Sequence, residues 1–205
     1  MRTGAIGAAA LAAAMIAAPA SAEDYGWADD YRAQAERDGC PGVFDDQGHG
    51  PDIGTAEYEA ACQYQRDLSA VRAHTARWQA LYEAGDFDAM VDLYTPDAIL
   101  MTAGQPRRDG PEAILAPFRA SYAAGWRSTI DFLEEELAID GDRADLIAPF
   151  WMTIQPPGEG AEPIEAMGRS WLTFQRGADG EWRLWRDMDN RAPDVTAEMR
   201  PARAE

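Results

Sequence analysis

Lysine is absent from this 205-residue sequence: all 18 basic residues are arginine, set against 36 acidic ones. That absence excludes chemistry built on a lysine amine, such as a Schiff base or a P-loop. The net charge of −18 repels phosphate backbones and anionic headgroups, so neither nucleic acid nor a membrane surface is an expected partner. Histidine and cysteine are scarce, at two each. His49, His74, Cys40 and Cys62 do not have the spacing of a zinc set, and neither a metal nor a cofactor is implied. The acidic stretch Asp45-Asp46-Gln47-Gly48-His49-Gly50-Pro51-Asp52 lacks the alternating order and terminal Glu of a calcium loop, and reads as a solvated loop.

Long apolar runs are missing except at the start. Met1-Arg2, the run Ile6 to Ala18 and the small-x-small step Ala20-Ser21-Ala22 read as a signal peptide over residues 1–22. The run is shorter than the roughly 20 residues a spanning helix needs. No Cys follows the expected cut, which argues against a lipid anchor, and no twin-Arg pair is present. The mature chain is therefore expected to be periplasmic or secreted, with no membrane contact after cleavage. In such a compartment Cys40 and Cys62 are expected to pair, closing a loop of about 20 residues worth roughly 3 kcal/mol. The rival readings, metal ligation and a redox pair, lack a full ligand set and a CxxC spacing.

Residues 23–54 read as irregular, with a short helical turn at most near Trp27 and Tyr31. From Thr55 a long helix is predicted, with Leu68, Val71, Thr75, Trp78 and Tyr82 on one face and Gly85 as its stop. Asp86 caps a short second helix carrying Phe87, Met90, Val91 and Tyr94 on one face. Ala98 to Thr102 is a short strand, and Gly110-Pro111-Glu112 starts a third helix. Strands are predicted over 129–139, 144–154, 164–176 and 181–190, joined in hairpins at Asp140-Gly141-Asp142 and Ala178-Asp179-Gly180. The tail after Pro193 reads as loose. Helices followed by antiparallel strands make an α+β domain.

The stretches "AGDFDAMVDLYTPDA" and "RDGPEAI", with the closing hairpin "GRSWLTFQRGADGEWRLWRDMDN", resemble SnoaL-like domains of the nuclear-transport-factor-2-like superfamily. The resemblance spans residues 67–192, leaving 23–66 as an N-terminal extension and 193–205 as a tail. It implies a cone: a strongly curved antiparallel sheet packed by about three N-terminal helices around a pocket, often dimeric through its outer face. Ketosteroid isomerases share this superfamily. Where they carry a general-base Asp and two acidic oxyanion donors, this chain has Thr102, Trp78 and Ser170. A hydroxyl is no base near neutral pH, and indole donates a hydrogen bond without being an acid. Steroid isomerisation is therefore not expected. The related polyketide cyclases use a pocket acid on the last strands, which points here to Asp187 and Asp189.

Strand alternation places Trp185, Asp187 and Asp189 on one side, about 6.6 Å per step. If that side is the pocket, two carboxylates share it and one titrates high, as in a general acid/base pair. If they lie at the strand's open end, they are ordinary solvated acids. Ser170, Leu172 and Phe174 are assigned to the pocket, and Trp171, Thr173 and Gln175 to a dimer face. Trp78, Tyr82, Met101, Thr102, Ser170, Leu172 and Trp185 are the expected ligand contacts, and His74 is read as a surface residue. Three functions fit: an exported protein binding a small, largely apolar molecule; a cyclase, isomerase or hydratase-like enzyme using Asp187 or Asp189; or a structural homodimer with a filled core.

Overall fold

The computed structural model describes residues 26–203. The signal peptide expected over 1–22 lies outside the described residues. The N-terminal extension is more ordered than its glycines and prolines suggest. Helix α1 (Gly26–Arg37) runs for 12 residues, and the following loop is tied back by a disulfide between Cys40 and Cys62. Ala35, Phe44 and Tyr58 close around that bridge as a small core of their own, with Tyr31 and Val43 packed on it. The expected pairing is present. The helix leaves little trace in the sequence because most of its side chains are polar and its few apolar contacts depend on the bridge.

Helix α2 (Ala56–Ala84) starts where the hydroxyl of Thr55 accepts from the amide of Tyr58 and ends at Gly85, which is left-handed at φ 75°. Glycine is required there twice over, since a Cβ would also sit 2.3 Å from the ring of Tyr122. Leu68, Val71 and Tyr82 of the predicted stripe are buried. Helix α3 (Phe87–Met90) is capped by Asp86. It is shorter than its pattern implied, because a 3-10 turn at Val91–Leu93 hands the chain to the first strand already at Tyr94. Helix α4 (Pro111–Ala123) begins after Gly110 and buries Ile114 and Leu115.

Seven strands form one curved, unclosed sheet: β1 (Tyr94–Thr102), β2 (Arg108–Asp109), β3 (Arg127–Phe132), β4 (Glu136–Asp140), β5 (Arg143–Gln155), β6 (Ile164–Arg176) and β7 (Trp182–Asn190). Their order is β2-β1-β7-β6-β5-β3, with β4 also on β5. All pairs are antiparallel except β1 with β7. The single strand expected over 129–139 is split in two. β3 pairs with residues 150–155 of β5 and β4 with residues 143–147. Between those spans Leu133 and Glu135 still donate to the carbonyls of Pro149 and Ile147, each at 3.0 Å, and the register slips by one residue where β4 begins. Glu134 and Glu135 at the break turn to Arg72 and Arg169, each at 2.7 Å.

Helices α2 to α4 cover the inner face of the sheet and build the main core with it. The C-terminal segment is not loose. Val195 is buried, the indole of Trp151 donates to the carbonyl of Thr196 at 2.8 Å, and Arg200 and Arg203 each donate to the buried carboxylate of Asp131 at 2.6 Å. The tail thus covers the outer face over β3 and β5. Its small and charged composition disguises this, because the contacts that hold it are ion pairs and not an apolar stripe.

Candidate functional site

The inner face encloses a cavity of about 380 Å³. Helix α2 supplies His74, Thr75, Trp78 and Tyr82, and the sheet supplies Phe132, Phe150 and Met152 on one side and Ser170, Leu172, Asp187 and Asp189 on the other. Trp78 stacks on Tyr82 at 5.1 Å between ring centres, and its N–H donates to the hydroxyl of Tyr94 at 2.7 Å. Tyr94 is fully buried, and burial together with the nearby Asp187 pushes its phenol up, so it stays protonated. A core filled with side chains does not describe this space. Its volume lies in the range of small-molecule sites.

Sheet register explains how the two acids differ. Asp189 faces Thr102 on β1 and Ser170 on β6. Both neighbours carry hydroxyls, and both donate to it: Ser170 at 2.6 Å and Thr102 at 3.3 Å. One row along, Asp187 faces Leu100 and Leu172. Leucine offers nothing to a carboxylate, and one oxygen of Asp187 is buried without a hydrogen bond. Only 8% of the residue is exposed. Burial first, then the charge of Asp189, drives the Asp187 carboxyl well above the usual range. Asp189 is also raised by burial, but its hydroxyl donors hold it back. Of the two carboxyls, Asp187 is therefore the one whose protonated form its surroundings favour more strongly.

Most of the expected contacts meet here: Trp78, Tyr82, Thr102, Ser170, Leu172, Asp187 and Asp189 all line the cavity. Two do not. Met101 follows the alternation of its own strand, so with Thr102 turned inward it points out, beside Met188 of β7. Trp185 is displaced by a β-bulge. Phe174 pairs with Leu184 and Thr173 with Arg186, leaving Trp185 unpaired. The extra residue reverses the alternation, so Leu184 and Asp187 share the inner face and Trp185 lies outside. There its indole donates to Asp97 at 3.0 Å, with Arg143 and Arg186 over its ring.

His74 is the residue that sequence reasoning missed. It is not on the surface: 8% of it is exposed and it lines the cavity. Its Nε2 donates to the carbonyl of Leu93 at 2.9 Å, which fixes the neutral tautomer. Its Nδ1 is buried without a partner. Burial lowers its pKa to about 4. The available signal was its spacing of three from Val71 and four from Trp78, at the margin of the apolar stripe, where the curved sheet wraps further round α2 than a flat one would.

A strongly curved sheet closed by helices over an inner cavity defines the nuclear-transport-factor-2-like class. Within it, residues 63–186 match the SnoaL-like domain family, and the chain belongs to that family. No curated protein matches the sequence. Among solved structures, an NTF2-like protein with a cystatin-like fold from Novosphingobium aromaticivorans is 22% identical with a TM-score of 0.57, covering 72% of this chain and 96% of its own. A conserved protein from Planctomyces limnophilus is 24% identical with a TM-score of 0.56, covering 60% and 93%. A ketosteroid isomerase-like protein from Erwinia carotovora is 17% identical with a TM-score of 0.53, covering 60% and 94%. At these identities the likeness concerns the fold.

Proposed function

We propose that the protein is an acid–base enzyme that moves a proton on a small, largely apolar molecule held in the cavity. Asp187 is its acid and Asp189 its base. The observation that carries this reading is the coupled pair itself: a buried carboxyl between two leucines, beside a second carboxyl held by two hydroxyls, on the wall of an open cavity. An acid held protonated next to an ionised partner can give a proton to a carbonyl or leaving oxygen while the partner takes one from carbon. The aromatic wall excludes water, which strengthens both interactions. The reaction class is enolisation-driven: a cyclase, isomerase or hydratase-like step. Isomerisation of Δ5-3-ketosteroids is not part of it, since Thr102, Trp78 and Ser170 supply neither the base nor the acidic donors.

A direct test uses bicyclic ketones such as 2-tetralone as probes. The protein should accelerate uptake of solvent deuterium next to the carbonyl. Asp187→Asn and Asp189→Asn should each slow that exchange by about 10²–10⁴-fold. Ketones that bind tightly while exchanging at the uncatalysed rate would leave a binding protein without catalysis, the reading that the apolar lining alone supports.

Two further proposals concern the whole chain. Residues 1–22 are removed on export, a reading supported by the disulfide; amino-terminal sequencing of the exported protein should begin at Glu23. The outer sheet face pairs with a second copy. Met101, Met188, Trp171 and Ile147 form one apolar row across four strands there, and Trp171 and Met188 are 54% and 50% exposed.

A further inference from the structure

Among the described residues the arginines are nearly all occupied. In a chain this acidic each finds a carboxylate, a carbonyl or an aromatic face with ease, and fourteen of those among the described residues do so. Arg77, Arg108 and Arg191 make no such contact among the described residues. Arg77 lies exposed on α2. The other two line the cavity, Arg108 half-buried and Arg191 exposed.

Their positions follow from the sheet. Arg108 stands on the edge strand β2 opposite Leu100, which in turn stands opposite Asp187. Two strand spacings, about 10 Å, thus separate Arg108 from the acid along the inner face. Arg191 is two residues past Asp189, where β7 has ended. Both arginines therefore share the cavity lining with the acid pair, and neither bonds to it. Asp189 is satisfied by hydroxyls and the surroundings of Asp187 favour its protonated form, so the arginines stay available for something else.

We propose that Arg108 and Arg191 form the anion-binding end of the cavity, and that its ligand is an amphipathic organic carboxylate. The flat apolar body lies against Trp78, Phe132 and Phe150, and the carboxylate meets the two arginines. The proposal rests on the cavity being the substrate site and adds the class of substrate. It also gives the ligand a direction. A carboxylate is repelled by Asp189 and attracted by the arginines, so the charged end stays with them and the reacting carbon is presented to the acids. Two local positive charges further offset the field of a protein that would otherwise repel an anion.

The matched probes are 6-acetyl-2-naphthoic acid and its methyl ester, which differ in one charge. Calorimetry on the wild-type protein should show the acid binding at least about 10-fold tighter than the ester, the scale of a charged hydrogen bond. The preference should shrink as salt rises. The Arg108→Gln/Arg191→Gln double variant should lose it while binding the ester as before. Arg108→Lys/Arg191→Lys should recover part of it, which shows that charge and not the fold was removed. Equal affinity for acid and ester, no binding of the acid at millimolar concentration, or a preference that survives the double Gln variant would overturn the proposal. Deuterium uptake into the acetyl methyl group separates this from the acid–base reading. Asp187→Asn should abolish uptake and keep the preference for the acid. A preference without any uptake in the wild type leaves the anion site standing and removes the catalysis. Uptake from acid and ester alike, with no difference in affinity, does the reverse.

Discussion

Asp131 and Asp187 sit on the same sheet and are almost equally buried, at 4% and 8% exposure, yet the protein treats them in opposite ways. Asp131 lies on the outer face under the C-terminal tail and receives two guanidinium groups, from Arg200 and Arg203. Asp187 lies on the inner face between two leucines, with another acid as its nearest polar company. The first arrangement is what burying a carboxylate requires if the fold is to tolerate it. The second raises the energy of the charged form and gives nothing back in stability. A chain with 18 arginines had the means to neutralise Asp187, and it leaves two nearby ones unused instead. The difference separates a carboxylate that holds the structure together from one whose proton is the point.

The largest effect should come from the outer site. Asp131→Asn removes the buried carboxylate that the two tail arginines share, leaving Arg200 with Glu165 and Arg203 with Glu83, and loosens the tail at a cost of about 3 kcal/mol. For a chain of this size that is roughly a 6–12 °C drop in melting temperature. Cleavage by protease after residue 190 should become faster. A melting temperature within a degree of the wild type would mean the tail is held by something else.

His74 comes next. Its folded pKa of about 4 lies below the ordinary value of 6.5. The unfolded chain therefore takes up a proton before the folded one does. His74 contributes stability that is complete above about pH 6.5 and is lost as pH falls toward 4, roughly 3 kcal/mol in all. In a His74→Phe variant the fall in stability over this window should be smaller by that amount. Parallel curves for the two proteins would show the histidine to be solvated.

Asp187 has the opposite sign. Its folded pKa is raised, so its contribution is complete below the unfolded value and is lost as pH rises through the folded one. Wild type minus Asp187→Asn should therefore become less favourable with rising pH, by at most about 1.4 kcal/mol per pH unit. The variant should be the more stable protein at pH 8, and the less active one. A difference that does not change with pH would place both acids in solvent. The smallest effect on folding is expected from Trp171→Glu. It should leave the melting curve of the subunit nearly unchanged and shift sedimentation from twice the chain mass to once. A wild-type monomer at micromolar concentration would contradict the outer-face pairing.

Much of this arrangement was legible in the residues. The stripe on α2, its start at Thr55, its stop at Gly85 and the two hairpin turns located the elements, because each is a local signal. The inner face of β6 followed from alternation, and with it Ser170 and Leu172. Asp187 and Asp189 were singled out, but for a geometry that a bulge changes: the extra residue at Trp185 leaves no mark on hydrophobic pattern and shows only in the pairing with Thr173 and Phe174. Met101 was an error of parity that Thr102 should have corrected. What stayed hidden was non-local. Which neighbours flank each acid depends on the parallel pairing of β1 with β7, and the burial of His74 depends on sheet curvature. The order of the tail depends on ion pairs reaching 69 and 72 residues back to Asp131.

The most direct test of the central claim is the titration of the aspartate carboxyl carbons by 13C NMR, in the wild-type protein and in Asp187→Asn and Asp189→Asn. The account predicts one carboxyl that remains protonated well above the range of ordinary aspartates, absent from Asp187→Asn, and shifted downward in Asp189→Asn because its charged neighbour is gone. If all aspartates of the wild type instead ionise near their ordinary values, with no signal altered between the variants beyond the one deleted, the buried acid pair does not exist and the proposed proton transfer has no agent.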